Sequence, residues 1–129
     1  MTASFDEPAI AREVETAFND YERALMAYDI EALDGHFWRD ERAVRFGIAE
    51  NLYGHAAIAA YRRNRIGVTS RRLAKTAVLV LGADAVVVNT EFSYLDDPRT
   101  GRQSQVWARV AAGWRVVSAH VSLKEAVER

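Results

Sequence analysis

The stretch RQSQVWARVAAGWRVVSAHVSL, residues 102–123, decides the fold. Gln103, Gln105 and Trp107 fall on one face of an extended chain. Further on, Trp114, Val116, Ser118, His120 and Ser122 share one side, and Arg115, Val117, Ala119, Val121 and Leu123 the other. A period of two interrupted by AAGW (111–114) predicts two β-strands joined by a tight turn, and so short a connection makes them antiparallel. Two more segments of the same kind precede them, RRLAKTAVLVLG (71–82) and DAVVVNTEFSYL (84–95), with GAD (82–84) and DDPRTG (96–101) as turns. The second half of the chain therefore predicts a four-stranded antiparallel meander.

The first half has a helical period. Ile10, Val14, Ala17, Phe18, Tyr21, Leu25 and Tyr28 recur at steps of three and four, which predicts a helix over 8–28 with an apolar stripe. Asp6 is placed to cap it and Pro8 suits its first turn. Asp29 caps a second, shorter helix, IEALDGHFW, broken near Gly35. A third begins after Gly54, carries Ile58 and Tyr61 and ends near Gly67. Between the second and third, residues 43–48 read as a short extra strand. Helices first and strands second make an α+β chain whose helices cover one face of the sheet. A sheet curled around three helices forms a cone with an internal cavity.

Bulk properties narrow the function. The 129 residues suit one domain, so 1–129 is read as a single unit. Seventeen basic and eighteen acidic side chains give a net charge of -1, without the basic excess of a nucleic-acid binder. There is no cysteine, which removes disulfides and thiolate chemistry. MTASFDEPAIAREVE lacks the apolar core of a signal peptide, and no run is long enough to span a bilayer. A cytoplasmic protein without membrane contact is expected.

The candidate functional residues are few. Arg45 lies among Ala43, Val44, Phe46 and Ile48, and a guanidinium cannot shed its charge to suit an apolar setting. It faces water, a structural carboxylate, of which Glu50 is the obvious candidate, or an anionic ligand. Arg62 and Arg65 occupy neighbouring positions on one side of the third helix, while Arg63 points elsewhere, so Arg62, Arg65 and Arg45 are positioned to converge on an anion. Cations at a helix C-terminus are also favoured without any ligand. Tyr21 lies on the inward stripe and needs a partner for its hydroxyl, either structural or in a pocket. His120, between Ser118 and Ser122, suits either a semi-polar cavity wall or a satisfied core position. The histidines His36, His55 and His120 show no metal-ligand spacing, and no phosphate-binding glycine loop or nucleophile elbow is present. Neither a metal nor a cofactor is expected.

The run YERALMAYDIEALDGHFWRDERAVRFGIAENLYGHAAIAAYRRNR, followed by GRQSQVWARVAAGWRVVSAHVSL, resembles the AtzH/HpxZ-like family. The likeness extends from about residue 10 to 123. It rests on FW followed by RFG..E.L.G, on the AI..YR..R helix, and on RQSQ.W with GWR..SAHVS. Tyr61 stands where phenylalanine is expected, and the IGVTS loop lacks an expected proline. The family belongs to the nuclear transport factor 2-like superfamily, with ketosteroid isomerases and SnoaL-type cyclases, which implies the same cone.

The resemblance also implies an activity. Family members resemble accessory enzymes of ureide and cyanuric acid catabolism, encoded beside amidases, that convert 1,3-dicarboxyurea to allophanate. On that reading Tyr21 and Arg45 match the family's helix tyrosine and strand arginine. His120 is added as a second proton-transfer group, imidazole being the side chain that changes charge near neutrality. Arg62, Arg65, Trp38, Gln105, Trp107 and Ser122 are expected to contact the substrate, a small anion that arginine grips through paired charge-assisted hydrogen bonds. The alternative is a non-catalytic ligand-binding module or accessory partner of a neighbouring amidase. A third reading, an isomerase or cyclase of hydrophobic substrates, requires a carboxylate base in the cavity, and Glu91 is the evident strand candidate. Apolar residues on both faces of VVVNTEFSY and QVWARV, together with the superfamily resemblance, point to a homodimer through the open face of the sheet.

Overall fold

A computed structural model describes residues 5–65 and 70–126. The order is α1 (Glu7–Ala27), α2 (Ile30–His36), β1 (Val44–Phe46), β2 (Asn51–Tyr53), α3 (His55–Asn64), β3 (Arg71–Gly82), β4 (Ala85–Tyr94), β5 (Thr100–Val110) and β6 (Gly113–Lys124). Asp6 caps α1 by accepting from the Ala9 N–H at 3.2 Å, with Pro8 in the first turn. Tyr28 ends the helix in the left-handed conformation at φ 48°, and Asp29 immediately caps α2 through the Ala32 N–H. A one-residue reversal thus turns α1 into α2. Gly35 lies inside α2 rather than breaking it. The third helix stops at Asn64, and Gly67, where the sequence placed its end, lies outside the described residues.

The curved sheet has six strands in the order β2-β1-β6-β5-β4-β3. From β3 to β6 it is the antiparallel meander expected. Two features were not. The chain makes a second short strand, β2, antiparallel to β1, and β1 itself runs parallel to β6, so the sheet is mixed. Parallel pairing needs a long crossover, and here everything from β2 through β5 supplies it.

The core forms where α1, α2 and α3 cover the inner face of this sheet. Ile10, Val14, Phe18 and Tyr21 of α1 pack with Leu33, Phe37, Ile58, Val86, Val88, Trp107 and Val116. Of the helical stripe read from the sequence, Ile10, Val14, Phe18 and Tyr21 are buried, Ala17, Leu25 and Tyr28 pack against the core partly buried, and Ala24 joins the buried set.

The last strand does not keep the simple alternation. Val106 pairs with Ser118 while Trp107 pairs with Val116, leaving Val117 as an extra residue. Such a bulge shifts the side-chain phase by one. Trp114 and Val116 face inward before it, and Ala119 and Val121 face inward after it. Ser118, His120 and Ser122 therefore belong to the outer face, opposite to the side that Trp114 and Val116 occupy.

Candidate functional site

Arg45 pairs with Ala119 across the parallel seam, so it shares the inward side of that strand. Its guanidinium reaches a narrow cavity between α1, α3 and the sheet. Two adjoining lobes make up this cavity, with volumes of about 20 and 40 Å3. Tyr21, Leu25, Arg45 and Arg65 border both. The first lobe adds Tyr28, Ile58, Tyr61 and Arg62; the second adds Arg71, Tyr94, Gln103 and Val121.

Arg45 faces the cavity and a carboxylate at once. Its Nη1 donates to Glu50 Oε1 at 2.9 Å, and both side chains are largely buried. The loop between β1 and β2 is built around this pair. A Cβ on Gly47 would lie 1.5 Å from Glu50 Oε1, so the absence of a side chain there makes room for the carboxylate. The RFG..E pattern thus has a physical reason: Arg45, Gly47 and Glu50 form one unit. The Arg45 guanidinium also lies 5.5 Å from the centre of the Tyr61 ring. That contact uses the face of the ring, which phenylalanine would supply equally well.

The other cavity arginines are backed in the same way. Arg62 is buried, stacks 4.7 Å over Phe37 and donates to Asp34 Oδ1 at 3.4 Å. Asp34 also accepts from Arg63, tying α3 to α2. Arg62 and Arg63, expected to diverge, thus meet on one carboxylate. Arg71 bonds to both carboxylate oxygens of Glu22 and stacks over Phe92 at 4.4 Å. Among the described residues no carboxylate pairs with Arg65, which is exposed at the rim. For Arg45 the sequence left a structural carboxylate and a ligand cavity open as alternatives; the structure gives it Glu50 as a partner while its side chain borders the cavity.

Tyr21 is buried, and its ring meets that of His36 edge to face at 6.1 Å. His36 in turn meets Trp107 at 6.2 Å. Burial, reinforced by the charges of Arg115 and Arg62, holds the His36 imidazole below its usual pKa and favours its neutral form. Trp107 Nε1 donates to Gln105 Oε1 at 3.0 Å. Gln105 and Trp107 are thus fully buried behind the cavity rather than in its lining.

Several expected site residues lie elsewhere. His120 is exposed on the outer face, where its ring meets Phe46 at 5.6 Å, because the bulge at Val117 turned it outward. Ser122 follows it onto that face. Trp38 carries Arg42 over its ring at 4.7 Å and borders a separate surface depression with Phe37, Val110 and Arg115. Glu91 also points outward, flanking a broad depression of about 430 Å3 with Lys75, Asn89, Arg102 and Ser104. That removes the cavity base required by the isomerase or cyclase reading. The outer depression is larger than the inner cavity, but it is an open, solvated sheet surface and lacks the converging buried donors. Tyr28, Arg71, Tyr94 and Gln103 were not read as site residues, although the period-two pattern already put Gln103 beside Gln105 and Trp107.

A model of the AtzH-like family matches residues 3–126. The chain belongs to the AtzH-like family. No curated protein matches it. Among solved structures, this AtzH-like chain is similar to a cystatin-like fold protein from Burkholderia xenovorans LB400, at 46% identity and a TM-score of 0.89, covering 95% of this chain and 96% of that one. It is also similar to a protein of unknown function from Pectobacterium atrosepticum SCRI1043, at 41% identity and a TM-score of 0.89, over 92% and 94% of the two chains. A nuclear transport factor 2-like protein from Pseudomonas putida KT2440 shares the fold at 19% identity and a TM-score of 0.77, over 95% and 92%. Family and fold together indicate a small-molecule-binding or enzymatic role for the AtzH-like chain. None of its described helices is long and apolar enough to cross a membrane.

Proposed function

We propose that this AtzH-like protein is a cofactor-independent enzyme acting on a small carboxylated urea, converting 1,3-dicarboxyurea to allophanate. The observation that carries this reading is that Tyr21 and Arg45, from α1 and β1, border both lobes of one narrow cavity. Donors dominate the lining, which suits an anion. The small volume does not suit a large hydrophobic ligand.

The chemistry needs little else. In 1,3-dicarboxyurea the bond between a terminal carboxylate carbon and its nitrogen breaks, and the electron pair stays on nitrogen. A proton must reach that nitrogen, and the carboxylate carbon departs as carbon dioxide, or as bicarbonate if water adds first. Arg45 orients the departing carboxylate, and the Tyr21 hydroxyl delivers the proton, which solvent then restores. A placed proton donor of this kind contributes about 10²–10⁴-fold to rate. Glu50 holds the Arg45 fork in position while tempering its charge, so that product release is not blocked by an over-tight anion site.

Incubating the purified protein with freshly generated 1,3-dicarboxyurea and following allophanate and carbon dioxide tests the reading. Allophanate still carries an amide bond, so an amidase is the natural consumer of the product. A second reading, a binding module without turnover, is favoured by the carboxylates already paired with Arg45, Arg62 and Arg71. It expects affinity for the ureide with no allophanate formed.

The homodimer is proposed on the outer sheet face. Registered across the strands, Leu79, Val87, Val106, Ser118, Val44 and Tyr53 make one row of that face. Leu79 and Tyr53 at its two ends are 56% and 65% exposed, more than isolated strand residues need be.

A further inference from the structure

The second lobe has a feature that the proposed chemistry at Tyr21 and Arg45 does not use. Gln103 is 4% exposed, and its Nε2 finds no acceptor among the described residues. Its Oε1 is engaged: Arg71 Nη1 donates to it at 3.4 Å. Because a guanidinium only donates, that contact fixes the amide with oxygen toward Arg71 and nitrogen away from it. Thr90 pairs with Gln103 across the strands, and its Oγ1 is also buried without a partner. A buried polar group left unpaired costs about 1–3 kcal/mol, so such a group calls for a ligand or water.

The orientation of Gln103 is built from several strands. Gly101 lies opposite Phe92, and a Cβ there would stand 2.1 Å from the Phe92 ring. The ring fills that space and carries Arg71 on its face. Glu22 on α1, next to Tyr21 in sequence, grips Arg71 through both carboxylate oxygens. The Arg71 side chain is 4% exposed and its charge is spent on Glu22. Glu22 and Arg71 are thus positioning residues, which fix the amide of Gln103, a residue that lines the second lobe, with its unpaired N–H turned away from Arg71.

We propose that Gln103 Nε2 binds the second acceptor of the ligand, the carboxylate that stays in the product, and so selects a two-carboxylate ureide over a one-carboxylate one. This rests on the reading of the cavity as a carboxylated-urea site. Substrate then spans the lobes, one end at Arg45 and Tyr21 and the other at Gln103. The product keeps a single carboxylate, cannot hold both ends, and leaves.

Carbon analogues, β-keto acids used freshly dissolved and cold because they lose carbon dioxide spontaneously, test this by binding. 3-Oxoglutarate replaces both nitrogens of 1,3-dicarboxyurea by carbon, and acetoacetate does the same for allophanate. Titration calorimetry in the cold is expected to show wild type binding 3-oxoglutarate about tenfold or more tightly than acetoacetate, as one extra hydrogen bond to a charged group allows. Gln103→Glu turns the donor into an acceptor and is expected to bring the two affinities within about threefold, mainly by weakening 3-oxoglutarate. Gln103→Met, which removes the polar group, gives the same reading if the glutamate variant does not fold. Arg71→Lys, which cannot present the same planar fork to Glu22 and Gln103, is expected to lower the preference while acetoacetate affinity holds. A wild type that binds both analogues equally, or a Gln103 variant that keeps the tenfold preference, overturns the inference and leaves the proposed activity standing. An unchanged preference in Arg71→Lys overturns the positioning role of Arg71. Wild type binding neither analogue overturns the carboxylate-site reading and this inference together.

Discussion

Arg45 Nη1 lies 2.9 Å from Glu50 Oε1, and that carboxylate fills the space beside Gly47 where a side chain would otherwise stand. Arg45 lines the cavity and Glu50 holds it, so the pair acts on stability and on ligand binding together. Replacing Glu50 by Gln keeps the shape and removes the charge. We expect a loss of about 1.5–3 kcal/mol, the range for a hydrogen bond to a charged group, read from thermal melting. Gly47→Ala is expected to act in the same direction by displacing the Glu50 carboxylate. If both variants melt like wild type, the pair contributes nothing to the fold.

Arg45→Ala removes the proposed carboxylate clamp. Turnover of the ureide is expected to fall by about 10²-fold or more, while the far-ultraviolet spectrum stays that of the folded chain. Arg45→Lys keeps the charge without the planar fork and is expected to restore only part of the rate. Full activity in the alanine variant would end the role assigned to Arg45.

His36 gives the molecule a pH dependence. Its folded-state pKa lies below the ordinary value of 6.5, chiefly from burial and then from Arg115 and Arg62. Above 6.5 the ring is neutral in folded and unfolded chains alike and contributes no slope. As pH falls through 6.5 the unfolded chain takes up the proton first, so stability drops until the folded pKa is reached. We expect urea midpoints between pH 7.5 and 5.5 to fall, and His36→Gln to flatten that trend. An equal slope in the variant would assign it to other groups.

The outer face makes a separate prediction. Light scattering is expected to give twice the 14.5 kDa chain mass, and Leu79→Glu combined with Tyr53→Glu to give the monomer. A monomeric wild type would remove the dimer.

Where periodicity is local, the sequence was legible. Ile10, Val14, Phe18 and Tyr21 cover the sheet as their spacing required, and the turns at 82–84, 96–101 and 111–114 separate antiparallel neighbours. His120 was misplaced because alternation was carried through Val116 and Val117, where one added residue reverses every later side chain. Nothing in a run of β-formers marks which of two valines is the extra one. Arg71 was missed for a different reason. Its environment comes from Glu22, Phe92, Gly101 and Gln103, which only the register of three strands and a helix brings together. Arg45 sat between the cases: the sequence posed carboxylate against ligand cavity as alternatives, and the fold satisfies both with one side chain.

The central claim is that the Tyr21 hydroxyl, in a cavity shared with Arg45, supplies the proton for loss of one carboxylate from a carboxylated urea. Tyr21→Phe leaves the ring packed against His36 and Phe37 and deletes only that hydroxyl. The most direct measurement is the rate of allophanate formation from freshly generated 1,3-dicarboxyurea by wild type and by Tyr21→Phe, at equal folded concentration. We expect measurable turnover in wild type and a loss of about 10²-fold or more in the variant. Equal rates in the two proteins, or no allophanate from wild type, would contradict it.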